Sequence, residues 1–436
     1  MENSIYKDGN DMILKRLLLC ALCASLALSS CAVPDGANDA SLAPSGDKAS
    51  RTSVLPIAAA AAEPVGAKTD ERFTEAVCSF SERLFTACAE RSNVKNLVIS
   101  PISVIYAMTL LSNGAVNSTL EAFEGLNSGI PVTEMNEYLF EFSRMLAETE
   151  ESTVDIASSV WANAPIFTLN DDFVTVAKKY YDALARSLDF SEAASLDEMN
   201  DWVAEKTDGM IKDALTELDP TAATVLLNTV LFNGKWDEPY SETDIRDGEF
   251  TSLDGTVSEA VYMDSVENSY FEVSGGVGFV KPYRDGYSFV GILPDEEVGI
   301  ERFVAELDLS EICRAINESS SVEVHVSLPR FEYENELSLK DILCSLGLDV
   351  AFSGDAELGG LGSGAVGEAF LSDVLQKARI ITDENGTKAA AVTEAILLTR
   401  MMPTFEEPKY IELDRPFFYM VIENETLLPL FMGKVG

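Results

Sequence analysis

Thr382-Asp-Glu-Asn-Gly386-Thr387-Lys-Ala389-Ala390-Ala391-Val-Thr393-Glu-Ala395-Ile-Leu-Leu-Thr-Arg400-Met401-Met-Pro403 is the stretch on which the fold turns. At every second position from Thr387 stand Thr387, Ala389, Ala391, Thr393 and Ala395, all small. The intervening set, Lys388, Ala390, Val392, Glu394 and Ile396, is mixed and more polar. A strand sends alternate side chains to opposite faces, so as a strand this segment has one small face and one that tolerates water. No proline lies between Gly386 and Met402, so a central position in a sheet is open to it. Gly386 supplies a joint at its start. Alanine, lysine and glutamate also favour helix. Composition by itself therefore leaves a helix, an exposed loop and a strand waiting for its sheet all open.

Upstream, Asn96-Leu-Val-Ile-Ser100-Pro101-Ile-Ser103 leads into a helix over 104–113. Two hydroxyls fall at its start, where they can cap free amides. Ala157–Trp161 reads as a strand, Asp172–Leu184 as a helix, and Val77, Phe80 and Leu84 recur at helical spacing. Ala223-Thr-Val-Leu-Leu-Asn228-Thr-Val-Leu-Phe-Asn-Gly234-Lys235-Trp236 is an apolar run suited to burial on both faces. An asparagine inside it must find partners or cost roughly 1–3 kcal/mol. Further strands are read at Phe279–Tyr283, Tyr287–Pro294 and Val322–Phe331, and a helix at Leu337–Leu346.

These motifs, in this order, resemble the serpins. The resemblance runs from about Asp70 to Gly436. It is carried by Ser100-Pro101-Ile-Ser103, Asn200-Asp201-Trp202, Asn228 with Gly234-Lys235-Trp236, Leu328-Pro329-Arg330-Phe331, Arg415-Pro416-Phe417-Phe418 and Pro429-Leu-Phe-Met-Gly433. It implies an α+β serpin fold: three β-sheets, about eight or nine helices and an exposed reactive-centre loop near 386–405. It also implies that Glu384, Gly386, Thr387, Ala389, Ala390, Ala391 and Thr393 form the hinge. Ser100, Ser103, Asn228 and Gln376 would form the region called the shutter, and Trp236 would belong to the breach where the loop first enters. Gln376 stands where many animal serpins carry a histidine. It keeps hydrogen-bonding capacity without a pH response.

Counted on the family's spacing from Gly386, the scissile bond is Arg400–Met401, within a residue or two. Fourteen residues of strand span about 46 Å, the length of a long sheet. Arginine there implies a trypsin-like serine protease as partner. A non-inhibitory serpin acting as a surface binding module, or an inhibitor of papain-like cysteine proteases, is the alternative. The resemblance implies a monomer.

Charge and residue counts exclude much else. The 436 residues carry 73 acidic against 31 basic side chains, a net charge of −42, which argues against nucleic-acid partners. There is one histidine, His325, and no nucleophile elbow, phosphate loop or paired-cysteine metal motif. We expect no enzyme and no cofactor. Residues 1–31 read as a signal peptide: Lys15-Arg16, an apolar run over Leu17–Leu28 too short to span comfortably, then Leu28-Ser-Ser-Cys31. That tetrapeptide resembles the bacterial lipoprotein box. It implies lipidation of Cys31, membrane association through that anchor alone, and an extracytoplasmic, lipid-anchored or secreted location. Residues 32–69 are rich in Ala, Ser, Pro and Gly and read as a flexible tether, with the serpin domain over 70–436. Cys78 and Cys88, ten residues apart on one helix, are separated by about 15 Å of rise, too far to bridge. No structural disulfide is expected.

Overall fold

The computed structural model describes residues 63–436 apart from 93, 148, 150, 365–370, 372 and 388–406. In chain order the elements are α1 (Glu71–Arg91), β1 (Leu97–Ile99), α2 (Pro101–Ser112), α3 (Asn117–Leu126), α4 (Val132–Ala147), β2 (Thr153–Asn163), β3 (Phe167–Leu169), α5 (Asp171–Tyr181), β4 (Leu184–Leu188), α6 (Ala193–Lys206) and β5 (Thr224–Lys235). They continue with β6 (Ile245–Thr251), β7 (Val257–Glu267), β8 (Tyr270–Val273), β9 (Gly276–Pro282), β10 (Tyr287–Pro294), α7 (Gly299–Ala305), α8 (Leu309–Asn317), β11 (Val324–Pro329) and β12 (Phe331–Ser338). The last are α9 (Lys340–Leu343), β13 (Gly362–Gly364), β14 (Leu375–Asp383), β15 (Gly386–Thr387), β16 (Lys409–Glu412), β17 (Phe417–Glu423) and β18 (Pro429–Val435).

Among the described residues these make three sheets, as expected, and a two-stranded fourth, β13–β3. One six-stranded sheet has the order β1-β18-β17-β10-β9-β8, and a four-stranded sheet β16-β11-β7-β6. The sheet that matters most has the order β12-β14-β15-β5-β2-β4. In it β5 pairs antiparallel with β2 over ten positions, from Asn233 opposite Thr153 to Thr224 opposite Ala162.

Local chemistry explains the helices that support this sheet. Asp70 caps α1 by accepting from Phe73 N at 2.9 Å, and Val77, Phe80 and Leu84 are buried on one face. α2 is buried on every side, which is why no amphipathic period shows in Pro101–Ser112. Ser100 caps it and Pro101 opens it. A second, smaller core joins α6 to the sheet through Trp161, Met199, Val203 and Leu227.

Three boundaries differ from expectation. The helix begun at Asp171 ends at Tyr181, because Asp182 turns left-handed (φ 45°) and Leu184 starts β4. The helix expected over Leu337–Leu346 is strand up to Ser338 and helical from Lys340, where the short α9 runs on into a π-helical turn over Cys344–Leu348 that is broken at Gly347, φ 105°. Glu332, Glu334 and Glu336 extend the strand because they meet Lys377 and Arg379 of β14. The end of the expected tether is held: Val65 N and Gly66 N donate to Glu137 Oε2 at 2.9 and 2.7 Å. None of the described helices is long and apolar enough to cross a membrane.

Candidate functional site

β14 and β5 flank β15 and, among the described residues, share no ladder of their own. Among the described residues Gly386 and Thr387 sit between them, Gly386 opposite Asp383 and Lys235, Thr387 opposite Thr382 and Gly234. Both pairings are antiparallel. The chain therefore leaves β14, turns through Glu384-Asn385 and begins a strand back down the middle of the sheet, of which Gly386 and Thr387 are the described residues.

Glycine is required at this entrance. Gly386 has φ 152°, and a Cβ there would lie 2.0 Å from Gly234 O and 2.9 Å from Lys235 Cα. The neighbour Gly234 is packed against the Phe232 ring in the same way. Thr387 points inward, 3% exposed, and its hydroxyl lies 2.6 Å from Tyr283 Oη. Burial pushes that phenol well above its usual pKa, so it remains a neutral donor or acceptor.

Trp236 closes the top of the seam. Its indole Nε1 donates to Asp383 O at 2.8 Å and its backbone N to Asn385 O at 3.0 Å. Its ring stacks on Tyr283 with centroids 4.2 Å apart and planes 7° from parallel. Behind it Lys281 and Glu267 form a 2.8 Å ion pair, their side chains 3% and 9% exposed. Lys281 Nζ also lies 4.4 Å from the Tyr240 ring centroid. On the rim, Arg330 Nη2 meets Glu384 Oε2 at 3.0 Å, with both side chains over a third exposed.

Lower in the seam the polar residues are half-satisfied. Gln376 Nε2 donates to Ser100 O at 2.8 Å and to Ser103 Oγ at 2.9 Å. Asn228 Nδ2 donates to Ser158 Oγ at 2.9 Å. The amide oxygens of both, Asn228 Oδ1 and Gln376 Oε1, are buried without a partner. The structure thus unites Gln376 with Ser100 and Ser103, but Asn228 bonds to its neighbour strand β2 instead.

On the opposite face of the sheet, Arg379 Nη1 donates to Met210 O at 2.7 Å and Lys377 Nζ to Asp213 O at 2.9 Å. These two cations strap β14 to the segment between α6 and β5. Sequence reading did not single out Ser158, Tyr283, Lys281, Lys377 or Arg379. A lysine inside the buried strand Phe279–Tyr283 was the one visible signal, since a buried charge demands a partner. Ala389, Ala390, Ala391, Thr393, Arg400, Met401 and Cys31 lie outside the described residues.

A family model described as Serpin (serine protease inhibitor) matches residues 75–436. Neuroserpin of Homo sapiens is 30% identical over 381 residues, covering 83% of this chain and 90% of that protein. A solved structure of the thermophilic serpin tengpin in the native state aligns with a TM-score of 0.79 at 34% identity, covering 85% of this chain and 95% of the other. Tengpin in the latent state aligns with a TM-score of 0.75 at 32% identity, covering 85% and 99%.

Proposed function

The chain belongs to the serpin family, and from that membership we propose that it is a suicide-substrate inhibitor of trypsin-like serine proteases. The protease acylates at Arg400–Met401. The severed loop then enters the central sheet and carries the acylated protease away before the ester is hydrolysed. Release of strain by loop insertion is the known behaviour of serpins, and it makes the native state one held kinetically.

The observation that carries this reading is the seating of Gly386 and Thr387 between β14 and β5. Each further step along the loop moves one residue back along both strands. In that register position 389 meets Phe232 and Ile380, position 391 meets Val230 and Ala378, and position 393 meets Asn228 and Gln376. The inward residues of β14 on this path, Thr382, Ala378 and Gln376 among them, are buried. Small inward side chains at Thr387, Ala389, Ala391 and Thr393 suit that path, and a hydroxyl at 393 would bring one proton to one of the two amide oxygens that now lack donors.

Mixing the protein with trypsin tests this directly. The expected result is a covalent complex that survives SDS, with the chain cut after Arg400. Clean cleavage with full protease activity retained overturns it and favours the non-inhibitory alternative. The proposal extends to location: Cys31 is lipidated and residues 32–62 tether the inhibitor outside the cytoplasm. Loss of membrane-fraction protein in Cys31→Ala is the expected result.

A further inference from the structure

Helices α1 and α8 are pinned together by a bond from Leu309 N, the first residue of α8, to Glu82 Oε2 of α1 at 2.9 Å. One turn back along α1 is Cys78, and one turn forward along α8 is Cys313. Thr86 Oγ1, one turn forward along α1, donates to Val304 O, ahead of α8, at 3.3 Å, so the two helices run antiparallel here and bring Cys78 and Cys313 side by side. Cys313 Sγ also lies 3.9 Å from Leu427 O in the turn before β18. Both cysteines are partly buried and neither is sealed, and both are free thiols.

We propose that Cys78 and Cys313 are a redox pair that a small-molecule disulfide closes into a bond tying α1 to α8. The roles within the pair differ. The acidic groups beside them, Glu82 and Asp308, disfavour both thiolates. The neighbouring Cys78 thiol outweighs this at Cys313 and holds the Cys313 thiol below its usual value, while the Cys78 thiol is raised. Burial pushes Cys88 up to about 12 and also raises Cys344. Cys313 is thus the thiolate-forming member among the four described cysteines, and thiolate character sets the order of attack.

The chemistry balances with glutathione disulfide as oxidant. The Cys313 thiolate attacks one sulfur of the donor, forms a mixed disulfide and expels a glutathione thiolate, which takes up the proton Cys313 lost. Cys78 then gives its proton to water and attacks Cys313 Sγ, expelling the second glutathione. Two protein thiols are oxidised and one donor disulfide becomes two thiols. A bond closing so long a loop restricts the unfolded chain strongly.

The test incubates the full chain with glutathione disulfide, blocks remaining thiols by alkylation and maps the digest by mass spectrometry. The expected product is a Cys78 peptide joined to a Cys313 peptide, two hydrogens lighter than their sum, with Cys88 and Cys344 alkylated. The oxidised protein should melt about 5 °C higher than the reduced one, and that shift should vanish in Cys78→Ser and Cys313→Ser. Cys78→Ser should trap Cys313 as its glutathione adduct, whereas Cys313→Ser should leave Cys78 unmodified. A wild-type protein that stops at the Cys313 adduct, or in which both cysteines are recovered alkylated, overturns the proposal.

Discussion

The hydroxyls of Tyr283 and Thr387 meet at 2.6 Å, and both residues are 3% exposed. The first inward side chain of the loop is therefore already seated in the core. Thr387→Arg replaces it with a charge that cannot be buried there. The expected outcome is a hinge that leaves the sheet and a loop that is cut without trapping: the SDS-stable band disappears and many equivalents are consumed per protease inactivated. Unchanged stoichiometry would sink the insertion mechanism. Tyr283→Phe is milder, loosening the hinge by about 1 kcal/mol, visible as faster amide exchange at Thr387.

At Gly386 the constraint is the backbone of the neighbouring strand. A methyl group 2.0 Å from Gly234 O has nowhere to go. Gly386→Ala should unseat residues 386–387 and expose the Asp383–Thr387 turn to proteases that leave the wild type intact.

Insertion must push β14 and β5 apart by one strand spacing, about 4.8 Å. That movement breaks the straps from Lys377 and Arg379 to Asp213 O and Met210 O. The double variant Lys377→Ala/Arg379→Ala should trap protease faster and lower the native melting temperature. Stopped-flow rates equal to wild type would show that the straps do not gate the sheet.

Asn228 Oδ1 and Gln376 Oε1 are buried without donors, and each such group costs roughly 1–3 kcal/mol. Filling the seam lets the Thr393 hydroxyl donate to one of these oxygens and completes the ladder. Protein cut in its loop should resist heating far beyond the uncut form, and Thr393→Val should reduce that gain. A cut protein that melts where the native one does would count against a strand arriving at this place.

Lys281 and Glu267 test the support behind Trp236. Lys281→Met strands a buried carboxylate whose remaining donor is Ser265 Oγ at 2.7 Å. Removing one partner of a buried pair costs roughly 3–5 kcal/mol, so the urea midpoint should fall. Lys281→Met/Glu267→Gln should recover most of the loss. No recovery would mean that the lysine acts through its packing on Tyr240 alone.

Much of this was legible before any coordinates. The alternation of small residues from Thr387, Gly386 ahead of it, and the spacing of Asn228 to Gly234-Lys235-Trp236 are local patterns. Local patterns survive in sequence because strand period and glycine's lack of a Cβ act on consecutive residues. They led to the family and the three sheets.

Partners were another matter. Asn228 could have faced Gln376, yet it bonds to Ser158, 70 positions away. Gln376 turns to Ser100 and Ser103, and the helix that carries Cys78 is pinned to α8 through Glu82 and Leu309. Such pairings depend on strand order and register, and a slip of one residue would send every side chain to the other face. Residue types and spacing could therefore say what kind of strand the loop makes. Only the packed sheet decides that two of its residues are already in place, between which strands, and against which hydroxyl.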